Sequence, residues 1–251
     1  MKGEIFLEMR GIKKSFGDQV VLRGVDLDIR RGEILVLLGG SGGGKSVLMK
    51  HMVGLLQPDE GTVALEGQVI SDLSERELSW ARKKISMMFQ SGALFDSMTV
   101  GENVAFPLKE AGINDKNELA RRVEEALKIV RLEGQEKKMP ADLSGGMRKR
   151  VALARAVVGK PCCVLYDEPH AGLDPVTGDS IDRLIKDLAI EHGITNVVIT
   201  HEMRSAFRIA DRLVFMKDGL VYWEGTPDEL KSSKDPVLMN FVDGRAQDSD
   251  L

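Results

Sequence analysis

The chain has 251 residues, 43% of them apolar, enough to bury a large core as one domain or two lobes in contact, without disulfide or metal support. Its 35 basic and 39 acidic residues leave a formal charge of −4, which argues against a protein that grips nucleic acid by neutralising phosphates. No apolar run approaches the ~20 residues that cross a bilayer and the amino terminus lacks a signal-peptide pattern, so the expectation is a cytosolic chain with any membrane role supplied by a partner.

In chain order, residues 5–10, 20–22 and 25–29 alternate apolar and polar side chains between Gly, Asp and basic residues, the pattern of short antiparallel strands. Residues 34–38 form an unbroken apolar run and predict a strand covered on both faces. A glycine-rich turn follows, then a helix over 46–56 closed by Pro58. Between Leu94 and Pro140 the pattern becomes helical. Asp115 and Glu118 suit a capping box, and Leu119, Val123, Ala126, Leu127 and Val130 recur at helix spacing, predicting an inserted helical lobe. A second helix runs from Ser144 to Val158, and Pro161 ends its turn. Residues 162–166 read as another doubly covered strand, on which the adjacent Cys162 and Cys163 face opposite ways; both are read as buried strand residues, not a disulfide or a metal site. A helix around 181–190 stopped by Gly193, a strand over 195–200, a short helix, a strand over 212–216 and a hairpin at Asp218-Gly219 complete a parallel-sheet pattern. Residues 244–251 are small, polar and acidic and read as a frayed end.

Three motifs carry chemistry. Gly39-Gly40-Ser41-Gly42-Gly43-Gly44-Lys45-Ser46 fits the P-loop pattern, with a strand before it and a helix after. Its glycines let backbone N–H groups turn around the β- and γ-phosphates, Lys45 reaches the same oxygens, and the Ser46 hydroxyl can ligate Mg²⁺. Downstream, the apolar strand from Cys162 ends in Asp167 and Glu168. Asp167 is placed to hold the cation through its water shell, and Glu168 to orient and polarise the attacking water. The third motif is Leu143-Ser144-Gly145-Gly146-Met147 opening a helix. Read plainly it is an N-cap with a permissive turn; its bare helix-end amides also make a second anion site.

With that third motif the chain resembles the ATP-binding-cassette (ABC) family, whose signature is LSGGQ; Met147 stands where the family usually has Gln. The resemblance implies an α/β fold with a P-loop NTPase (RecA-like) core, an antiparallel β subdomain and an inserted α-helical subdomain. The implied division is an ATPase domain over 1–230, with the core at 1–90 and 159–230 and the helical insert at 91–158, then a short C-terminal tail over 231–251. It implies ATP and Mg²⁺ as ligands and a head-to-tail homodimer, each ATP lying between one subunit's P-loop and the other's signature. Residue by residue, Gln90 falls at the Q-loop position, as a catalytic and Mg²⁺-site residue; Ala171-Gly172-Leu173-Asp174 matches the D-loop; His201 matches the switch histidine. Phe16 sits where the family stacks adenine, with an ordinary core Phe as the other reading. The expected nucleotide contacts are thus Phe16, Gly39 to Ser46, Val47, Gln90, Ser144, Gly145, Gly146 and Asp174, with Lys45, Gln90, Glu168 and His201 catalytic and Ser46, Gln90 and Asp167 at the metal.

Residues 89–100 and 102–108, together with LSGGM, look like the ATPase subunit of Mla-type (maintenance of lipid asymmetry) transporters, as does the stretch 240–244. That resemblance implies phospholipid transport between bacterial membranes, an integral-membrane MlaE-like permease docking near Gln90 to Met98, a Mce-domain lipid-binding subunit in the same complex, and a place on the cytoplasmic face of the inner membrane. Exposed Leu94, Phe95 and Met98 would form the socket for a permease helix; the plain alternative is that they pack the helical lobe. Two further readings stand beside it: the ATPase of another importer, for amino acids or metal chelates, and a cassette ATPase acting as a scaffold without transport.

Overall fold

The structure, a computed structural model, describes residues 3–245. Two long strands open the chain, β1 (Ile5–Phe16) and β2 (Gln19–Arg30), paired antiparallel. β3 (Ile34–Leu38) is wholly buried, and the glycine-rich loop leads from it into α1 (Lys45–Met52). β4 (Glu60–Leu65) and β5 (Gln68–Val69) join the first pair in an antiparallel sheet ordered β2-β1-β4-β5, followed by α2 (Ser79–Lys84) and β6 (Ile85–Met88). The helical lobe comes next, with α3 (Val100–Glu110), α4 (Lys116–Ile129) and α5 (Gly145–Val157). The chain then returns through β7 (Cys163–Asp167), α6 (Pro175–His192), β8 (Thr195–Ile199), α7 (Met203–Ile209), β9 (Arg212–Lys217) and β10 (Leu220–Gly225), and closes with α8 (Pro227–Lys231) and α9 (Pro236–Val242).

The second sheet is ordered β10-β9-β3-β8-β7-β6, parallel throughout except for the antiparallel edge strand β10. Because β3, β6, β7 and β8 run the same way, the P-loop, Gln90, Asp167 and Glu168, and His201 all leave the sheet at its carboxyl edge, where parallel α/β sheets bind ligands. The two faces of this sheet serve different cores. Ile34, Val36, Leu38, Val164 and Tyr166 join the helical lobe and α6, while Leu35, Leu37, Cys163 and Leu165 join α1 and the antiparallel sheet. That is the period-two alternation of a strand buried on both sides.

Several elements differ from the sequence reading. The strands expected at 20–22 and 25–29 are one, β2, because β1 pairs with both stretches, with a register irregularity between Arg23 and Val25. The helix expected to run to residue 56 ends at Met52, since Gly54 takes a left-handed φ of 66° with Leu78 packed 2.9 Å from where its Cβ would be. Asp115 does cap α4, but Glu118 completes no capping box; its carboxylate pairs with Arg121 and Arg122. The full box belongs to Thr99 and Glu102 at α3. Cys162 precedes β7 and is half-buried; Cys163 alone is buried in the strand. Within the expected tail over 231–251, α9 packs on the domain: Leu238 is buried and the Phe241 ring meets Phe215 at 4.9 Å. Of the segment read as a frayed end, residues 246–251 lie outside the described residues.

Candidate nucleotide site

The loop between β3 and α1 is shaped by two glycines. At Gly39, φ 140°, an added Cβ would stand 2.2 Å from the carbonyl oxygen of Met216 on β9; at Gly44, φ 90°, it would stand 2.7 Å from Leu22 Cδ2. Gly44 is also the N-cap of α1 and offers its first amides no side-chain partner, so the helix presents bare N–H groups and its positive dipole end to the loop. Lys45 is buried, and its Nζ donates to the carbonyls of Gly39 at 2.7 Å and Gly40 at 2.8 Å. Burial lowers its pKa against the pull of Glu168 and Asp167. The ammonium is thereby held at the mouth of the loop, and Val47 packs half-buried behind it.

Ser46 Oγ donates to Asp167 Oδ1 at 3.2 Å. Burial raises the Asp167 pKa, and the Ser46 hydrogen bond pulls it back. A hydroxyl and a carboxylate side by side are hard oxygen donors, and no group of three or more His, Cys, Asp or Glu stands ready for a metal among the described residues. That sparse donor set fits Mg²⁺, which fills the rest of its shell with water and phosphate oxygens.

Glu168 takes φ 50°, a left-handed conformation that costs a non-glycine residue on the order of 1 kcal/mol. Its backbone N–H donates to Ile199 O at 3.0 Å, fixing the turn to the end of β8. The carboxylate is largely enclosed, with Oε2 2.9 Å from Nδ1 of the exposed His201 but without the alignment of a hydrogen bond. Gln90 lies two residues past β6, whose register sets Met88 beside Tyr166. Its side chain is exposed and makes no hydrogen bond among the described residues.

The second anion site is less bare than the sequence suggests. Ser144 is the N-cap of α5 and its hydroxyl accepts from the Met147 N–H at 3.2 Å, using one of the free amides; Met147 itself packs partly buried against the core. A Cβ at Gly145 would stand 3.7 Å from Leu173 Cδ2 and one at Gly146 against Thr177, whereas at Gly39 and Gly44 it would meet Met216, Val21 and Leu22. The signature glycines thus face α6 and the residues before it, and the P-loop glycines face β2 and β9. Asp174 caps α6, accepting from Val176 N, Thr177 N and Thr177 Oγ1, and these bonds, the Thr177 hydroxyl first, lower its pKa.

The sequence pattern of the family described as ABC transporter matches residues 22–171. The chain belongs to that family as an ATP-binding cassette. It is 41% identical over 96% of its length to a probable ribonucleotide transport ATP-binding protein of Mycobacterium leprae, covering 70% of that protein. It is 39% identical to the Arabidopsis thaliana chloroplast protein TRIGALACTOSYLDIACYLGLYCEROL 3, covering 96% of this chain and 74% of that one. A Brucella abortus methionine import ATP-binding protein is 42% identical over 87% of the chain and 59% of its own length. Among solved structures, the cassette MJ0796 in a dimeric, post-hydrolysis state with ADP and Pi superposes at TM-score 0.81 with 35% identity, covering 88% of this chain and 98% of that one. A Clostridium perfringens cassette, cbiO1, part of a transporter complex, superposes at 0.85 with 31% identity over 94% of each chain. The cassette is an ATP-binding, ATP-hydrolysing α/β P-loop NTPase with an antiparallel sheet and helical parts.

Within the cassette, Lys45, Ser46, Asp167, Glu168 and His201 come together at one sheet edge. Phe16 ends β1 and is 47% exposed, with the Lys14 ammonium 5.7 Å from its ring centre; a core role for this ring is excluded. Ser144, Gly145 and Gly146 stand apart, with the D-loop residues Leu173 and Asp174 beside them. Of the expected socket only Phe95 is exposed; Leu94 and Met98 are half-buried, Leu94 against the core. The sequence reading did not anticipate Lys149, a buried cation on α5 whose Nζ donates to Gln90 O. A lysine at a helix position otherwise flanked by apolar packing was the available signal.

Gly146 supports a stability prediction. A Cβ there would stand 2.4 Å from Thr177 Cγ2, and the Thr177 hydroxyl is tied to Asp174. Gly146→Ala should destabilise the nucleotide-free protein by about 1–3 kcal/mol, the range for overpacking. Adding Thr177→Ser, which deletes the offending methyl and keeps the hydroxyl, should restore most of it in a denaturant titration.

Proposed function

We propose that the cassette powers an Mla-type phospholipid transporter, docking beside an integral-membrane permease through Phe95 and hydrolysing ATP in a head-to-tail homodimer on the cytoplasmic face of a bacterial inner membrane. The observation that carries the docking half is Phe95 itself. It is 40% exposed on the loop after Gln90, backed by Phe106 at 4.8 Å, and no described helix is long and apolar enough to cross a membrane. An exposed aromatic at the seam between sheet and helical lobe is suited to take a helix from another chain.

For hydrolysis, Lys45 and the bare amides of α1 bind the β- and γ-phosphates, Ser46 and Asp167 hold Mg²⁺, Glu168 orients the attacking water, and His201 contacts the γ-phosphate, with Gln90 joining the site from β6. Bound Mg²⁺ supplies charge neutralisation at the phosphates. Phe16 offers its ring to adenine. The partner's Ser144, Gly145 and Gly146 close over the γ-phosphate with Asp174 alongside, a division supported by their different surroundings, Leu173 and Thr177 at the signature against Met216, Val21 and Leu22 at the P-loop.

The lipid cargo is supported by the resemblance of residues 89–108 and by one relative's name, which is that of a galactolipid. Other relatives are named for ribonucleotide transport and methionine import, so the cargo is decided by transport. Phe95→Asp should put an unpaired charge in an apolar contact, weakening docking by on the order of a few kcal/mol while the isolated subunit keeps its ATPase rate. With the permease and Mce-domain subunit reconstituted in vesicles, the variant should lose co-purification and phospholipid movement together. Unchanged transport by Phe95→Asp removes the contact; a parental complex that moves methionine or nucleotides but no lipid removes the cargo.

A further inference from the structure

The segment after Gln90 belongs, by its hydrogen bonds, to the helical lobe and not to the sheet it leaves. Lys149 on α5 donates to Gln90 O. Arg155, further along the same helix, donates to Gly92 O at 2.8 Å and Ala93 O at 2.7 Å. Between the two cations Gly92 lies against the helix, where a Cβ would stand 3.4 Å from that of Ala152. Asn103 on α3 is fully buried and takes the next stretch. Its Oδ1 accepts from Phe95 N at 2.8 Å, and its Nδ2 donates to the carbonyls of Phe95, Met98 and Thr99, each at 3.0 Å.

These contacts are costly to build. Neither Lys149 nor Arg155 makes an ion pair within 4 Å among the described residues; burial lowers the pKa of both, and for Lys149 the charge of Glu168 opposes it only in part. A charge in that position needs its hydrogen bonds, and here all of them go to loop carbonyls. Phe89 and Gln90 are exposed and the Phe89 carbonyl accepts from Gly92 N at 2.8 Å, so Phe89 alone links β6 to the fastened segment.

We propose that Lys149, Arg155 and Asn103 are positioning residues that fasten residues 90–99 to the helical lobe, so that a load applied at Phe95 moves Ser144 as part of one rigid body. The inference rests on the docking reading of Phe95. α5 carries the two cations and, at its first turn, Ser144; loop and signature are therefore attached to a single helix. Permease movement then changes the position of Ser144 over the γ-phosphate, and ATP-driven closure pulls on the permease through the same bonds.

The test uses Lys149→Met with Arg155→Leu, which keep the aliphatic stems, and Arg155→Lys as a folded comparison that keeps the charge with a single donor group. In the reconstituted transporter the double variant should still co-purify with the permease, while transport and the ratio of permease-stimulated to isolated-subunit ATPase fall at least roughly fivefold; Arg155→Lys should lie between. Parental stimulation in the double variant overturns the proposal. A second measurement needs no permease. Spin labels at the exposed Asp96 and Glu124 should give one narrow distance with and without ATP in the parent and a broadened one in the double variant. An equally narrow distance in the double variant overturns the fastening. A broadened distance combined with a permease indifferent to Phe95→Asp sinks the docking reading alone and leaves the fastening standing.

Discussion

Glu168→Gln is expected to lower ATP turnover by about 10²–10⁴-fold, the range for losing a positioned base, while ATP binding persists. Glutamine keeps the shape of the side chain and can hold a water, but it cannot polarise one or receive a proton. The Glu168 carboxylate is enclosed, on a backbone turn held in a left-handed conformation and bonded to Ile199, so the substitution should change chemistry and leave geometry. Closure without hydrolysis then traps the product of binding. With ATP and Mg²⁺ the variant should elute as a dimer in size-exclusion chromatography and return to monomer when ATP is removed. Lys45→Ala should fail earlier, because the ammonium held between Gly39 O and Gly40 O is the side chain proposed to meet the phosphates, and no dimer should form at any ATP concentration that saturates the parent. A Glu168→Gln protein that turns over at the parental rate removes the general-base role.

The second large effect concerns sharing of the site between chains. Ser144→Arg should abolish hydrolysis in the homodimer while each monomer still binds ATP, since the bulky side chain stands at the end of α5 and not at the P-loop, whose neighbours are Val21, Leu22 and Met216. The informative experiment mixes Ser144→Arg with Lys45→Ala. In a head-to-tail heterodimer one composite site contains both lesions and the other contains neither. Equimolar heterodimer, isolated with two affinity tags, should therefore recover hydrolysis up to about half the parental rate, although each homodimer is inactive. Confirmed heterodimers with no hydrolysis would count against sharing unless the two sites must act together; recovery would establish that the site is built between subunits.

Much of this site could be read from the sequence because phosphate chemistry is written in contiguous residues. A loop needs its glycines next to its lysine, and a sheet-edge acid needs an apolar strand directly before it, so Gly39 to Ser46 and the strand ending at Asp167 were visible without a fold. Element boundaries were less visible where tertiary packing decided them. Gly54 stops α1 through its fit against Leu78, and β2 runs through Gly24 because β1 pairs on either side of it; both outcomes are set by contacts outside the segment itself. The exposure of Leu94, Phe95 and Met98 was also hidden, since three apolar residues on a loop look alike until Leu94 is seen against the core and Phe95 against Phe106. Least legible were the grips on the Q-loop. Lys149 and Arg155 act on backbone carbonyls some sixty residues away, and a carbonyl has no residue type to announce it. The caps show the same asymmetry: Asp174 reads as a D-loop acid by motif, yet its carboxylate is engaged in starting α6.

β3 has only five residues, yet it supplies both hydrophobic clusters by turns, Ile34, Val36 and Leu38 to one and Leu35 and Leu37 to the other. A slip of one position along its neighbours would exchange the two sets at a stroke and shift Gly39 by about 3.3 Å, one residue of strand rise. Each cluster thus forbids the error that the other would have to accept, and the phosphate loop inherits its coordinates from two independent bodies of packed side chains. The helical lobe attaches to one face of the strand alone. On the proposed head-to-tail arrangement, a turn of that lobe would leave the opposite face, packed on α1 and the antiparallel sheet, where it was, and would move the signature while the loop kept its place.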